Sequence, residues 1–369
     1  MGAIRDFFFP NVSPARTSDV EAASTPIQIA DNFYTILGGS TTTTRQIALS
    51  VPSVSRARNI ICGTIGSLPL EQYNKLTGAH VEPLRVINQP DVRVPGSLIY
   101  TWLAEDIWLY GVGYGVVTDM YSVTDGGKVR GWTRVAPDRV TVDTDAKGVE
   151  IIGYRIDGVT TPPNGVGSII RFDGYDEGLL HRAGKTINAA VYLENAALNY
   201  AKDPVPSLAL KSTGTNLPAE RIQALLNAWR TARQQRGTAF LNADVDIKEI
   251  GFDPKSLQLT EGRQYVALEL ARACGIPAYF LSAEQTSMTY SNSISERRSL
   301  VDFSLRPILM SLEKRLSMPD FVPQNQEVRF DLDDFLRGNP LERAQVYQIL
   351  NTIGAMSVEQ IQVAEDLIR

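Results

Sequence analysis

"GIPAYFLSAEQTSMTYSN", residues 275–292, joins two helical patterns through a segment that cannot itself be a helix. Upstream, residues 256–274 carry Leu259, Val266, Leu270 and Ala273 at helix-like spacing, and Gly275 and Pro277 stop the pattern. Downstream, Asn292 or Ser293 can cap a long helix with the stripe Ile294, Val301, Leu305, Ile308, Leu312 and Leu316. Over residues 292–317 that helix would run about 39 Å, at about 1.5 Å per residue. Pro307 lies inside it, removes one backbone hydrogen bond and clashes with the carbonyl of Phe303, which predicts a kink. Between the helices, residues 282–291 hold small polar side chains, one aromatic and a single charge, Glu284. Such a segment has little with which to bury itself and reads as a working loop.

The chain around this stretch is long enough for one sizeable core or for several modules: 369 residues, 43% of them hydrophobic. No apolar run approaches the roughly 18 residues of a membrane span, and the apolar patch in MGAIRDFFFPNV is too short for a signal peptide. Asp6 stands where an N-myristoylation start needs Ser or Thr. Cys62 and Cys274 sit on apolar helical patterns and read as buried thiols in a reducing compartment. A net charge of -5 argues against ordinary nucleic-acid binding, which relies on clustered Lys and Arg.

Residues 1–49, interrupted by Pro10, Pro14 and Pro26 and containing GGSTTTT, read as a flexible arm. Residues 50–67 suit a helix with Val54, Ala57, Ile60, Ile61 and Ile65 on one side, and residues 96–110 another. The glycines that follow, Gly111, Gly113 and Gly115, do not make a phosphate cradle. That cradle needs a strand before the glycines and a helix after them, whereas residues 116–121 alternate like a strand. A helix-to-strand corner in which glycine permits close packing fits better. Residues 116–172 then read as antiparallel strands with hairpin tips at 125–127, 144–148 and 162–167.

Helix returns over residues 184–201, rich in alanine and ended by Pro204 and Pro206. Residues 204–255 form an insert. A strand lies near 206–211, and a helix opens at Pro218 with the stripe Ile222, Leu225, Leu226 and Trp229; two strands follow, near 238–241 and 245–250. Arg221, Arg230, Arg233 and Arg236 are the densest positive cluster in the chain. It reads equally as a solvated helix face or as a docking surface for an acidic partner. Gly262 is a weak point in the helix over 256–275. Residues 340–369 are helical with a break at Gly354.

Little supports an enzyme. His80 and His181 lie a hundred residues apart in unrelated patterns, so no Ser or Cys nucleophile has a convincing base. No zinc spacing, Walker lysine or dinucleotide turn is present. Asp331, Asp333 and Asp334 lack the spacing and glycine of a calcium loop and read as carboxylates at a helix start. The reading therefore assigns no catalytic residue, no metal and no cofactor. A hydrolase built on a carboxylate pair, or a purely structural scaffold protein, are the alternatives.

The runs RACGIPAYFL (272–281), TYSN (289–292) and LRP (305–307), together with DIWLYGVGYG (106–115), VAPDRV (135–140) and IIRFDGYDEGLL (169–180), resemble in order the HK97-like portal proteins of tailed bacteriophages, over about residues 50–340. That resemblance implies an α+β portal fold. Its parts would be an α/β wing (50–183), a two-helix stem (184–203 and 256–275), a small α/β clip (204–255), a channel loop (276–291), a long kinked helix returning to the wing (292–339) and a helical crown (340–369). It further implies a dodecameric ring at one capsid vertex of the virion, assembled in the host cytoplasm. Double-stranded DNA would be packaged through it by a separate terminase motor and later ejected. The terminase large subunit and a head–tail connector would dock at the clip arginines, with major capsid and scaffolding proteins as further partners and no membrane. Gln285, Thr286, Ser287, Met288, Thr289 and Tyr290 would then touch the passing duplex without holding it, because hydroxyl, amide and thioether groups contact phosphate or sugar without pairing a charge.

Overall fold

The computed structural model describes residues 43–122, 127–148, 150–202, 208–212, 219–234, 245–249, 259–281, 297–336, 340–365 and 367. They form a mixed helical and sheet structure that divides into two compact units, residues 1–188 with 267–369, and residues 189–266.

The first unit opens with α1 (Arg45–Ser50), capped by the Thr44 side chain, and α2 (Pro52–Ser67), which has proline in its first turn. The helix expected over residues 50–67 begins at Pro52, and α1 precedes it in a stretch whose sequence reads as part of the flexible arm. Strands β1 (Leu70–Asn74) and β2 (His80–Val81) and the short α3 (Arg85–Asn88) lead to α4 (Gly96–Tyr110). This helix is the centre of the unit, with Ile99, Leu103, Ala104, Ile107 and Leu109 fully buried. Helix α2 crosses it at Gly66, where a Cβ would lie 1.9 Å from Thr101 Oγ1; only a glycine admits so close an approach.

Two consecutive carboxylates, Glu105 and Asp106, are buried on α4. Both are paired, as burial demands. Glu105 accepts from Arg45 Nε and Arg58 Nε, each at 2.5 Å, and Asp106 accepts from Arg134 Nε at 2.6 Å and Nη2 at 2.5 Å. Burial pushes the Asp106 carboxyl up against the opposing pull of Arg134.

Gly111 ends α4 in the left-handed region at φ 74° and hands over to β3 (Val112–Met120). The expected corner is there at Gly111, where a Cβ would lie 2.3 Å from the Asp176 carbonyl oxygen; the strand starts earlier than residue 116, so Gly113 and Gly115 lie inside it, and a Cβ on Gly115 would lie 2.6 Å from the Trp132 ring. Strand β3 is the middle of an antiparallel sheet between β4 (Val129–Val135) and β8 (Ile169–Asp173). A second antiparallel sheet holds β5 (Val140–Thr144), β6 (Ile151–Ile156) and β7 (Val159–Thr160).

The turn at 162–167 is not a hairpin tip, because β7 belongs to one sheet and β8 to the other. The two-residue hairpin is instead Asp157-Gly158, at φ 50° and 84°, between the paired Ile156 and Val159. Farther along, α5 (Leu179–Arg182) precedes α6 (Gly184–Lys202).

In the second unit, β9 (Leu208–Ser212) pairs antiparallel with β10 (Val245–Glu249), and α7 (Ala219–Gln234) lies between them in sequence. The partner of β10 is thus β9; the strand expected near 238–241 falls outside the described residues. Helix α8 (Leu259–Cys274) runs against α6. Within this unit Leu193 would meet a Cβ on Gly262 at 3.8 Å, and Arg263 pairs with Glu194 at 2.8 Å. The boundary between the units falls inside both helices.

Back in the first unit, a π-helical turn at Val301–Leu305 leads into α9 (Arg306–Leu316), and β11 (Gln326–Phe330) pairs with β1. A chain of aromatic contacts joins this sheet to the β3 sheet through α4: Phe330 to Tyr100, Tyr100 to Trp132, Trp132 to Phe172. Three helices close the chain: α10 (Asp333–Leu336), α11 (Pro340–Thr352) and α12 (Val358–Ala364).

Candidate functional site

The C-terminal end of α8 is where the structure spends specific interactions. Gly275 takes φ 66°, its N–H bonds the Arg272 carbonyl at 3.2 Å and the Ile276 N–H bonds the Ala271 carbonyl at 3.1 Å. This is a Schellman stop, with Ile276 buried beneath it and Pro277 barring continuation. It leaves the last helical carbonyls without intrahelical partners.

Side chains from three separate elements meet that need. Arg182 Nη2, on α5, donates to the Ala273 carbonyl at 3.2 Å. Trp108 Nε1, on α4, donates to Cys274 at 3.4 Å, and Ser304 Oγ, on the π turn, donates to Gly275 at 2.5 Å. A fourth donor, Arg56 Nε of α2, reaches the Phe280 carbonyl at 2.5 Å, one residue before the chain leaves the described region. The 3-10 turn Ala278–Leu281 that carries this carbonyl stacks Tyr279 on Phe280, ring centroids 4.6 Å apart. One of the four donors, Arg182, is a cation at the negative end of a helix dipole, which favours it.

The other side of the loop is fixed through the same point. Pro307, in the first turn of α9, has no N–H for the Phe303 carbonyl, and the chain answers the expected kink by widening: Arg306 N–H bonds the Val301 carbonyl, five residues back. Ser304 lies in this π turn, so its bond to Gly275 ties the helix after the loop to the helix before it. Leu300, Val301, Leu305, Ile308 and Leu312 are buried behind it.

The arrangement holds backbone. Its acceptors are peptide carbonyls and its donors are already engaged. Burial pushes both thiols up, Cys274 to about 12, so neither is a ready nucleophile, and both cysteines are free. Among the described residues no cluster of three His, Cys, Asp or Glu could hold a metal ion, and no helix is long and apolar enough to cross a membrane.

Of the residues singled out in the sequence, Gln285, Thr286, Ser287, Met288, Thr289 and Tyr290 lie outside the described residues, as does Arg236. Arg221, Arg230 and Arg233 stand on α7, with Arg221 exposed. The structure brings the two flanks of the loop together. The sequence reading missed Arg56, Trp108, Arg182 and Ser304, whose acceptors lie 224, 166, 91 and 29 residues away. The one available signal was that a helix ending in Gly-Ile-Pro leaves carbonyls in need of donors.

The comparisons with known proteins agree with this architecture. A probable portal protein of Streptomyces phage phiC31 is 25% identical, over 91% of this chain and 79% of that protein. An uncharacterised protein of Rickettsia bellii is 23% identical over 76% of this chain. Among solved structures, an HK97 family phage portal protein from Corynebacterium diphtheriae superposes with a TM-score of 0.67 at 25% identity, covering 82% of this chain and 99% of that one. A chain from the neck of a native gene transfer agent particle, computed with C12 symmetry, shares the fold at a TM-score of 0.56 and 19% identity, covering 89% and 93%. The family model described as "Phage portal protein" matches residues 52–366, and this chain belongs to that family.

Proposed function

We propose that this portal-family chain assembles into a closed ring, dodecameric by likeness to its relatives, at one vertex of a phage capsid. DNA driven by a separate terminase motor enters through the ring and later leaves by it. The channel loop, residues 276–291, points into the lumen, where Gln285, Thr286, Ser287, Met288, Thr289 and Tyr290 contact the duplex. Residues 50–183 serve as wing, 184–203 and 256–275 as stem, 204–255 as clip and 340–369 as crown. The clip docks the terminase and a head–tail connector through Arg221, Arg230, Arg233 and Arg236. The separate compactness of residues 189–266 supports setting the clip and stem ends apart from the rest.

The observation that carries this reading is the pairing of a fixed frame with an almost uncharged loop. Both flanks of residues 282–296 are tied into the first unit by Arg56, Trp108, Arg182 and Ser304, whereas residues 282–291 contain one charge, Glu284. A surface past which DNA slides is best without strong phosphate contacts, since each is a local well that stalls movement. A chain of net charge -5 also repels the duplex more than it grips it.

The test is a Gln285→Lys, Thr286→Lys variant. Ring assembly seen by negative-stain microscopy should be intact, and packaging of DNA into procapsids should slow or abort. Normal packaging by that variant would remove the loop from the channel.

A further inference from the structure

Three positions among the described residues set Asn or Asp before Gly: Asp157-Gly158, Asn164-Gly165 and Asp173-Gly174. At such a pair the backbone nitrogen of the glycine can attack the carbonyl carbon of the preceding side chain, because glycine has no Cβ to obstruct the approach. Attack closes a succinimide ring. An Asn expels ammonia in that step and a protonated Asp expels water; water then reopens the ring at either carbonyl and leaves aspartate or isoaspartate. The fold treats the three pairs differently.

Asp173-Gly174 is blocked at the nucleophile. The Gly174 N–H donates to the Gly111 carbonyl at 2.8 Å, in packing so close that a Cβ on Gly174 would lie 2.6 Å from the same oxygen. Asp157-Gly158 is blocked at the electrophile. Arg139 Nε donates to both Asp157 oxygens at 3.1 Å and its Nη2 donates to Oδ2, which holds the carboxyl below its ordinary value and so ionised. An ionised carboxylate is a poor electrophile.

Asn164-Gly165 has neither protection. Its turn is pinned at both ends: Thr161 N–H and Oγ1 donate to the Tyr154 carbonyl at 2.9 and 3.0 Å, and Gly167 N–H donates to the Val117 carbonyl at 2.8 Å. Between those points Pro162 and Pro163 have no N–H to give. Asn164 is exposed, and among the described residues neither its side-chain amide nor the Gly165 N–H has a hydrogen-bond partner. A neutral amide needs no prior protonation, so nothing in this turn has to open or titrate first.

We propose that Asn164 is a self-modification site, deamidating through a succinimide with Gly165 to aspartate and isoaspartate. The product adds one negative charge to a chain of net charge -5. Isoaspartate also lengthens the main chain by one atom between β7 and β8. The bonds that follow absorb the change. Ser168 N–H and Oγ donate to the Gly165 carbonyl at 3.1 and 2.6 Å, and Val117 N–H donates to the Ser168 carbonyl at 2.9 Å, so β8 keeps its register on β3. Modified copies therefore stay folded and accumulate with time.

The test incubates the full folded chain at neutral pH beside a peptide of residues 160–169, which has the same sequence without the fold. Peptide mapping by mass spectrometry with electron-transfer fragmentation reads acid and isoaspartate at each position, and circular dichroism reads folding. Residue 164 should convert within about tenfold of the peptide rate, because no local opening stands in front of the reaction. Residues 157 and 173 should remain ordinary aspartate, and converted chains should melt as unconverted ones do. Asn164→Gln, whose longer side chain would have to close a larger ring, should stay unmodified at that position. Arg139→Ala should bring up isoaspartate at 157 and leave 173 as it was. Conversion at 164 more than about tenfold slower than in the peptide would overturn the proposal, since the turn would then be holding the amide. Isoaspartate at 157 and 173 matching that at 164 would overturn it as well, because the dipeptide and not its setting would then decide.

Discussion

Removing two of the four donors that tie the loop flanks, with the variant Ser304→Ala, Arg56→Ala, should loosen the frame without unfolding the chain. Ser304 Oγ gives a neutral hydrogen bond to the Gly275 carbonyl in a partly buried place, worth about 1 kcal/mol net. Its loss leaves that carbonyl short of a partner, although the Schellman stop itself remains. Arg56 donates to the Phe280 carbonyl at an exposed position where water competes, so it contributes less, about 0.5–1 kcal/mol. The acceptors are five residues apart on one short segment, and the losses should therefore fall on the same local opening, about 1.5–2 kcal/mol together. At about 1.4 kcal/mol per tenfold, amide exchange at Ile276 and Phe280 should quicken by about 10- to 30-fold. Amides of Tyr114 and Trp132 in the β3 sheet, which neither donor touches, should exchange as in wild type. Hydrogen exchange read by NMR or mass spectrometry measures both. A uniform acceleration would mean that the donors stabilise the whole unit, and no acceleration would mean that the frame is held by packing alone; either outcome refutes the anchoring argument. In the packaging reaction the variant should form rings but package more slowly than wild type.

Two further outcomes follow from residues in the second unit. Reversal of charge in an Arg230→Glu, Arg233→Glu variant should weaken binding of the terminase large subunit or the connector to preformed rings, measured by co-sedimentation; unchanged binding would remove the docking proposal. Gly262→Ala should stabilise helix α8 by about 1 kcal/mol, read as a higher melting temperature, because the added methyl would meet only Leu193 side-chain carbons at 3.8 and 3.9 Å, ordinary contact distances. A lower melting temperature would show that the glycine is kept for close packing rather than as a weak point.

The long helices were legible because their signals are local. Residues 96–110 place apolar side chains at helical spacing and stop at Gly111, and the observed α4 has those bounds. The reading of Gly111, Gly113 and Gly115 as a packed corner held for the same reason, since only the order of helix and strand had to be known. Pairings between distant segments were not legible. Strand β1 has the sequence LEQYN, with one strongly apolar residue, and nothing in it announces a partner at residues 326–330. Asp157-Gly158 was overlooked although Asp-Gly is a strong hairpin signal, because Pro162, Pro163 and two glycines just beyond drew the turn to 162–167. At the candidate site, the Gly-Ile-Pro stop and the shortage of charge in residues 282–291 could be read directly. The donors could not, because a Trp, a Ser and two Arg look like any others until the fold brings them to a helix end.

That division between what was local and what was not explains how such a loop can work. A segment that must let a polyanion slide past gains nothing from strong interactions of its own, so its residues are small, polar and nearly neutral. Any load on it must then be borne by its ends. Four carbonyls at and just beyond a helix terminus, each held by a donor from a different element, spread that load over α2, α4, α5 and the π turn, and through α4 over the centre of the first unit. Neutral acceptors would suit the proposed channel: a carboxylate at the same place would hold an arginine more strongly but would add a negative charge where, on that proposal, DNA passes. On this argument the chemistry of the loop and the stiffness of its frame are separate variables, so a charge added at Gln285 should change packaging without changing exchange at Ile276, and loss of Ser304 should change both.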